Sequence, residues 1–305
     1  MEEIICITSK NEMTEGLFGM VILFMIETLP IIENLKIDVS KLKWNISTKN
    51  YGDIFPYILE YNGEYVNPNE LRRNISLMQL RNTPKQYTIG DNFDELNKLF
   101  FKYFKIPEEL ESISKKYDLS NSLGIHFRGT DKTCDTIMNT SITIDEFYVI
   151  IDSYLKNNKN ITSIFLATDE KNILEYLKEK YKDIVFITSR NFSENLFWKN
   201  NKNVLNNGKE AMIDMLCLSK CKIVLKVSSA LSAFSKLINP KLNIYRLNAV
   251  KMFADIPYFP DAYIPLLEKN NNYTEECNLI LDKIQLNDWS IKNKENFNNF
   301  CYKQR

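Results

Sequence analysis

The second half of the chain alternates short apolar runs with helical segments, and nothing else in the sequence constrains the fold as strongly. Residues 123–128, Leu-Gly-Ile-His-Phe-Arg, form the first run. Ser163 to Thr168 is the second, Ile184 to Thr188 the third, Cys221 to Val227 the fourth and Asn243 to Leu247 the fifth. Between them apolar residues recur at helical spacing, from Ile144 to Lys156 with Thr143 as a candidate cap, Asn172 to Tyr181, Lys209 to Lys220, and Ser228 to Ile238. Residues 189–207 read as a long polar loop. Strands separated by helices require a parallel sheet with right-handed crossovers, so the chain is an α/β protein.

The first half opens in a related way. Ile4 to Thr8 is a short apolar strand, and a loop with Gly16 and Gly19 leads into an apolar helix from Leu17 to Leu29. A strand–loop–helix unit of this kind opens a doubly wound domain. Residues 36–75 carry Trp44, Tyr51, Phe55, Tyr57, Tyr61 and Tyr65 and read as irregular, aromatic-rich packing. Asp91 to Phe104 is an expected helix, capped by Asp91, with Phe93, Leu96, Leu99, Phe100 and Tyr103 as its apolar residues. Pro107 begins another, through Tyr117, and 118–122 is a polar break. The segment 274–301 reads as helical, with Leu279, Ile280 and Ile284 on one face. The expected division is residues 1–118, residues 119–255, and a helical segment 256–305 that packs back on the first domain.

Composition excludes several classes. The 305 residues suffice for one large domain or two ordinary ones, and 44% of them are apolar. Basic and acidic residues number 39 each, so no basic field draws a nucleic acid. The cysteines, Cys6, Cys134, Cys217, Cys221, Cys277 and Cys301, are scattered without a CxxC pair. Cys217 and Cys221 lie four apart on an expected helix and read as core. A reduced, cytoplasmic protein is the simplest reading. Leu17 to Ile26 is apolar but falls short of the roughly twenty residues a bilayer needs. Glu2, Glu3, Glu12 and Glu15 precede it, where a signal peptide carries basic residues. A transmembrane segment is therefore not expected.

Three clusters carry chemistry. The chain's one histidine ends the first run, in His126-Phe-Arg128-Gly-Thr-Asp131-Lys132. Polar groups just past the carboxyl end of a strand are where open α/β sheets place ligands. Arg128 offers a planar fork for a phosphate and Lys132 a point charge; the alternative is a strand edge whose charges pair among themselves. The second cluster is Phe165-Leu-Ala-Thr-Asp169-Glu170, where Asp169 either joins the site or caps the next helix. The third runs from Ala211 through Asp214 to Ile223-Val-Leu-Lys-Val-Ser228-Ser229. Small hydroxyl residues at a helix amino terminus bring backbone N–H groups to an anion, although either serine also serves as a plain N-cap. Asp214 sits on an otherwise apolar helix face. A buried carboxylate needs donors, and guanine offers two on one edge.

In order and spacing these three segments, over about residues 120–240, resemble the GDP-fucose-dependent fucosyltransferases: the core α1,6-, nodulation-factor and protein O-fucosyltransferase group. The resemblance implies a GT-B fold, two Rossmann-like domains facing a cleft, with the donor on the second. It implies inverting hexosyl transfer of fucose from GDP-fucose to a glycan hydroxyl, without an obligatory metal or other cofactor. By position, His126 matches the residue that helps seat the nucleotide and Arg128 the arginine on the β-phosphate. Asp214 matches the guanine-reading carboxylate and Ser229 the phosphate-binding serine. Asp131 and Lys132 match positions of the same loop, and Gly16 and Gly19 are expected to face the cleft. There are departures: Gly129 and Ala233 stand where the core α1,6 enzymes have arginines, Thr136 where they have a proposed base, and Phe147 where they have a tyrosine.

A metal-free transfer needs positive charge for the departing diphosphate and a base for the acceptor hydroxyl. Arg128 and a helix terminus supply the first. Asp135 ranks first among candidate bases, ahead of Asp131 and Glu15. Asp-x-Asp pairs and His/Cys clusters, which hold metals, are missing from the sequence. The other readings are a GT-B transferase using another nucleotide sugar, and a catalytically inactive nucleotide- or glycan-binding protein of this fold. The acceptor and the oligomeric state are not legible in the sequence.

Overall fold

A computed structural model describes residues 5–8, 42–45, 57–62, 73–76, 92–128, 144–190, 204–227, 229–247, 264 and 266–267. The helices expected over 17–29 and 274–301 lie outside these residues. So do Gly16, Gly19, Asp131, Lys132, Asp135 and Ser228. The chain divides into two units, Met1–Lys116 with Phe197–Ile213 and Phe300–Arg305, and Tyr117–Leu196 with Asp214–Asn299.

In the first unit, strands β1 (Ile5–Thr8), β2 (Leu42–Asn45) and β4 (Arg73–Ser76) form a parallel sheet in the order β2-β1-β4. The short strand β3 (Glu60–Tyr61) lies between β2 and β4 in sequence and pairs elsewhere. Strands β2 and β4 fall in the stretch expected to be irregular. Leu-Lys-Trp-Asn and Arg-Asn-Ile-Ser carry no clear alternation, and their pairing with the distant β1 is what makes them strands.

Helix α1 (Phe93–Tyr103) buries Phe93, Leu96, Phe100 and Tyr103 at helical spacing. Its cap is Asn92 rather than Asp91: the Asn92 side chain accepts from the Glu95 amide at 3.2 Å and donates to the Glu95 carboxylate at 3.0 Å. The first bond satisfies one amide otherwise orphaned at the helix start, and the second holds the capping side chain in place. Strand β5 (Phe104–Lys105) continues α1 and pairs antiparallel with β3. The Phe104 ring lies 5.5 Å from Phe100 and 5.7 Å from Tyr61. Helix α2 (Glu108–Lys115) follows Pro107, with Glu108, Glu109 and Glu111 in its first turn, where they complement the helix dipole.

The second unit holds strands β6 (Ser122–Phe127), β7 (Ser163–Thr168), β8 (Val185–Ile187), β9 (Ile223–Lys226), β10 (Asn243–Leu247) and β11 (Leu266–Leu267). Helices α3 (Ile144–Asn157), α4 (Lys171–Lys180), α5 (Val204–Leu218), of which only the part from Asp214 on belongs to this unit, and α6 (Ala230–Ile238) connect the first five. All six strands are parallel, in the order β11-β10-β9-β6-β7-β8. Numbered from β6, that is the 3-2-1-4-5-6 order of a Rossmann sheet.

Four elements differ from expectation. Strand β11 (Leu266–Leu267) lies in the stretch 256–305 that reads as helical, and pairing with β10 makes it a strand. Helix α5 begins at Val204, not Lys209, so Asn206, Asn207 and Gly208 are helical despite their turn propensity. Helix α6 begins at Ala230 with Ser229 as N-cap. Glu170, not Asp169, occupies the N-cap of α4, and its side chain makes no capping bond.

Alternation along the strands sorts the two sheet faces. Leu123, Ile125 and Phe127 of β6 join Ile164 and Leu166 of β7 and Phe147 of α3 in one buried core. Each such side chain contributes roughly 1.5–3 kcal/mol relative to exposure. Gly124 and His126 point to the opposite face. A β-carbon at Gly124 would meet Val224 Cγ2 at 2.8 Å and Cys221 Sγ at 3.0 Å. Glycine is thus required where β6 and β9 run side by side.

Candidate active site at the sheet's switch point

Strand order reverses between β6 and β9. From β6 the chain proceeds to β7 and β8 on one side, and from β9 to β10 and β11 on the other. In folds of this type ligands bind at the carboxyl ends of the two strands that flank such a reversal. The Val227 amide donates to the His126 carbonyl at 3.1 Å, holding the two strand ends together.

His126 sits at this point, buried, with Nδ1 2.7 Å from Ser232 Oγ. Ser232 lies in the first turn of α6, so this bond ties β6 to the helix that follows β9. The Ser232 hydroxyl also reaches the Ser229 carbonyl at 3.4 Å; its single proton serves one of the two contacts. Ser229 holds the N-cap position but makes no side-chain capping bond. Its hydroxyl is therefore not committed to the helix, unlike an ordinary cap serine. Arg128, half-buried, follows β6 directly. Thr168 is level with Phe127 across β6 and β7, so Asp169 and Arg128 leave the sheet at the same height.

Two basic residues join His126 that sequence reasoning did not select. His126 is in register with Lys226, and Lys226 with Arg246. The three side chains stand abreast on one face of three neighbouring strands, and all are buried. Arg246 Nε donates to the Ile264 carbonyl at 3.0 Å. A basic residue at an alternating position of an apolar strand was the available signal, and burial of such groups always requires polar compensation.

Asp214 lies on α5, fully buried. One carboxylate oxygen accepts from Ser189 Oγ at 2.5 Å and the other from Arg190 Nε at 2.5 Å. Both donors come from the segment just after β8, which the sequence presented only as the start of a polar loop. On the same helix, burial, with the Asp214 charge second, pushes the Cys217 thiol up to about 12; burial raises Cys221 as well. Both are free thiols in the core, as expected. Glu170 is raised above the usual carboxylate range, first by burial and then by the neighbouring Asp169.

The structure thus brings His126, Arg128, Asp169 and Ser229 to one edge of the sheet and gives Asp214 an ion-pair partner. Among the described residues, no group of three or more His, Cys, Asp or Glu is arranged to hold a metal. No helix among them is long and apolar enough to cross a membrane.

A parallel 3-2-1-4-5-6 sheet with basic and hydroxyl groups at its switch point defines a nucleotide-binding α/β protein, and the fold is of the GT-B class. Among solved structures the chain is similar to the NodZ alpha-1,6-fucosyltransferase soaked with GDP-fucose. Identity is 16%, covering 78% of this chain and 94% of that one, at a TM-score of 0.51. The selenomethionine form of fucosyltransferase NodZ from Bradyrhizobium matches at 15% identity, 79% and 94% coverage and a TM-score of 0.50. POFUT1 in complex with GDP-fucose matches at 10% identity, 82% and 98% coverage and a TM-score of 0.46. At such identities the likeness to the two NodZ structures is one of fold. No protein-family model and no curated protein sequence matches the chain.

Proposed function

We propose that this protein is an inverting glycosyltransferase that transfers fucose from GDP-fucose to a glycan hydroxyl. The observation that carries this is the convergence of His126, Arg128 and the amino terminus of α6 at the switch point of the second sheet. A diphosphate there receives a guanidinium fork from Arg128 and backbone N–H groups from α6, aided by the helix dipole. The acceptor oxygen attacks the sugar's anomeric carbon, and the bond to the β-phosphate oxygen breaks with its electron pair. The charge that develops on the diphosphate is met by Arg128, and the acceptor proton passes to a carboxylate, for which Asp135 and then Asp131 are the candidates. Asp214 stands at the nucleobase end. No step requires a metal, so turnover is expected to survive excess chelator.

Calorimetric titration with GDP, UDP and ADP, followed by a donor-hydrolysis assay with GDP-fucose, tests the reading. GDP is expected to bind much more tightly than UDP or ADP, and GDP-fucose to be hydrolysed slowly without acceptor. Equal binding of UDP removes the GDP donor. Tight GDP binding with no hydrolysis or transfer favours an inactive binding protein. A transferase using another nucleotide sugar rests on Ala233, which is buried in the α6 packing where the resembling enzymes carry an arginine.

A further inference from the structure

We propose that Arg190 reads the nucleobase of the donor and that Asp214 positions it. This deepens, and rests on, the reading of the protein as a GDP-sugar transferase. Asp214 and Arg190 form an ion pair whose two members differ in access: the Asp214 side chain is 0% exposed and that of Arg190 13%. Solvent, and therefore a ligand, reaches the arginine and not the carboxylate. Each Asp214 oxygen already accepts a donor, Ser189 Oγ on one and Arg190 Nε on the other. A guanidinium is planar, so fixing its Nε–H against a buried carboxylate fixes the plane of the whole fork.

The pair also stands at the correct height. Ile187 of β8 is level with Phe165 of β7, which is level with Gly124 of β6. Ser189 and Arg190 follow Ile187 by two and three residues, and so reach the carboxyl edge of the sheet, where β6 ends in His126, Phe127 and Arg128. The sheet edge that carries Arg128 for a phosphate thus carries a second, separately anchored arginine two strands away.

An arginine at that position selects guanine by its acceptor edge. O6 and N7 of guanine accept two parallel N–H bonds from one guanidinium. Adenine presents an amine in place of O6 and sets donor against donor. The alternative, direct acceptance from guanine N1–H and the exocyclic amine by Asp214, reads the opposite edge of the same base. Nucleotide analogues separate the two.

Titration of the full-length protein with GDP, IDP, 7-deaza-GDP and ADP decides. If Arg190 reads O6 and N7, 7-deaza-GDP binds at least about tenfold more weakly than GDP, while IDP, which lacks only the exocyclic amine, binds within about threefold. Arg190→Lys keeps the charge and loses the fork. It is expected to weaken GDP at least about tenfold and to bring GDP and 7-deaza-GDP close to parity, with IDP unchanged relative to GDP. Asp214→Asn is expected to shift the same ratios in the same direction, because it releases the fork. Equal binding of GDP and 7-deaza-GDP by the unmodified protein overturns the proposal while leaving the GDP reading intact. So do variants that lower the thermal midpoint without changing the analogue ratios, the mark of a purely structural ion pair. Failure of GDP itself to bind sinks the donor reading and this proposal with it.

Discussion

His126 on β6 and Ser232 on α6 are joined by a buried hydrogen bond of 2.7 Å between Nδ1 and Oγ, across 106 residues of sequence. The bond clamps together the two elements that flank the switch point and fixes the imidazole ring. Ser232→Ala leaves a buried ring nitrogen without this partner. The variant is expected to lose about 1–3 kcal/mol of stability in denaturant titration. GDP affinity should fall further than the lost stability accounts for, because the ring is then free to turn. Unchanged affinity and midpoint would show that the ring is held by its surroundings alone.

Arg128 follows β6 at the switch point, where a fork is better suited to a diphosphate than a point charge. Arg128→Ala is expected to abolish transfer with the fold intact, raising the barrier on the order of 3 kcal/mol or more. Arg128→Lys is expected to rescue it poorly. Steady-state rates together with circular dichroism check both statements, and near-normal turnover of the lysine variant would exclude a bidentate role.

Gly124 has no room for a methyl group, with Val224 Cγ2 2.8 Å and Cys221 Sγ 3.0 Å from the β-carbon position. Gly124→Ala is expected to destabilise by about 1–3 kcal/mol, the range for overpacking a core. Adding Val224→Ala removes the nearest contact and should recover part of the loss. A double-mutant cycle by chemical denaturation measures this coupling.

Glu170 carries a raised pKa, caused by burial and then by Asp169, so the folded state holds its proton more tightly than the unfolded chain. Stability linked to that proton is fully present below the ordinary carboxylate range and is lost as pH rises through the raised folded value. Glu170→Gln is therefore expected to raise the thermal midpoint at pH 7 and to give no advantage below about pH 4, where both forms are neutral. Melting curves across that range test the sign; an advantage independent of pH would assign the effect to something other than the charge.

Hydrophobic periodicity is local, so the first five strands of the second unit and most of its helices are legible from the residues alone, whereas the two-residue β11 is a strand only through its pairing with β10. Apolar runs of β6, β7 and β10 match the observed strands to within a residue at either end. The residues of β6 and of the Ser229 turn announced themselves in the same way, as polar groups interrupting apolar runs. Strands β2 and β4 were invisible because their residues are strands only through pairing with β1. The start of α5 is hidden in the sequence because Asn206, Asn207 and Gly208 favour turns in isolation, whereas a helix already nucleated extends through them cheaply. Asp214 was legible as a charge on an apolar helix, but its partners were not. Ser189 and Arg190 lie 25 and 24 residues upstream of it, and only packing brings them to the carboxylate. The row of His126, Lys226 and Arg246 is likewise a matter of register between strands 100 and 20 residues apart. Local periodicity fixes which residues alternate along a strand. Which alternating residues meet across strands depends on sheet order and register, and those are decided when the whole core is buried at once.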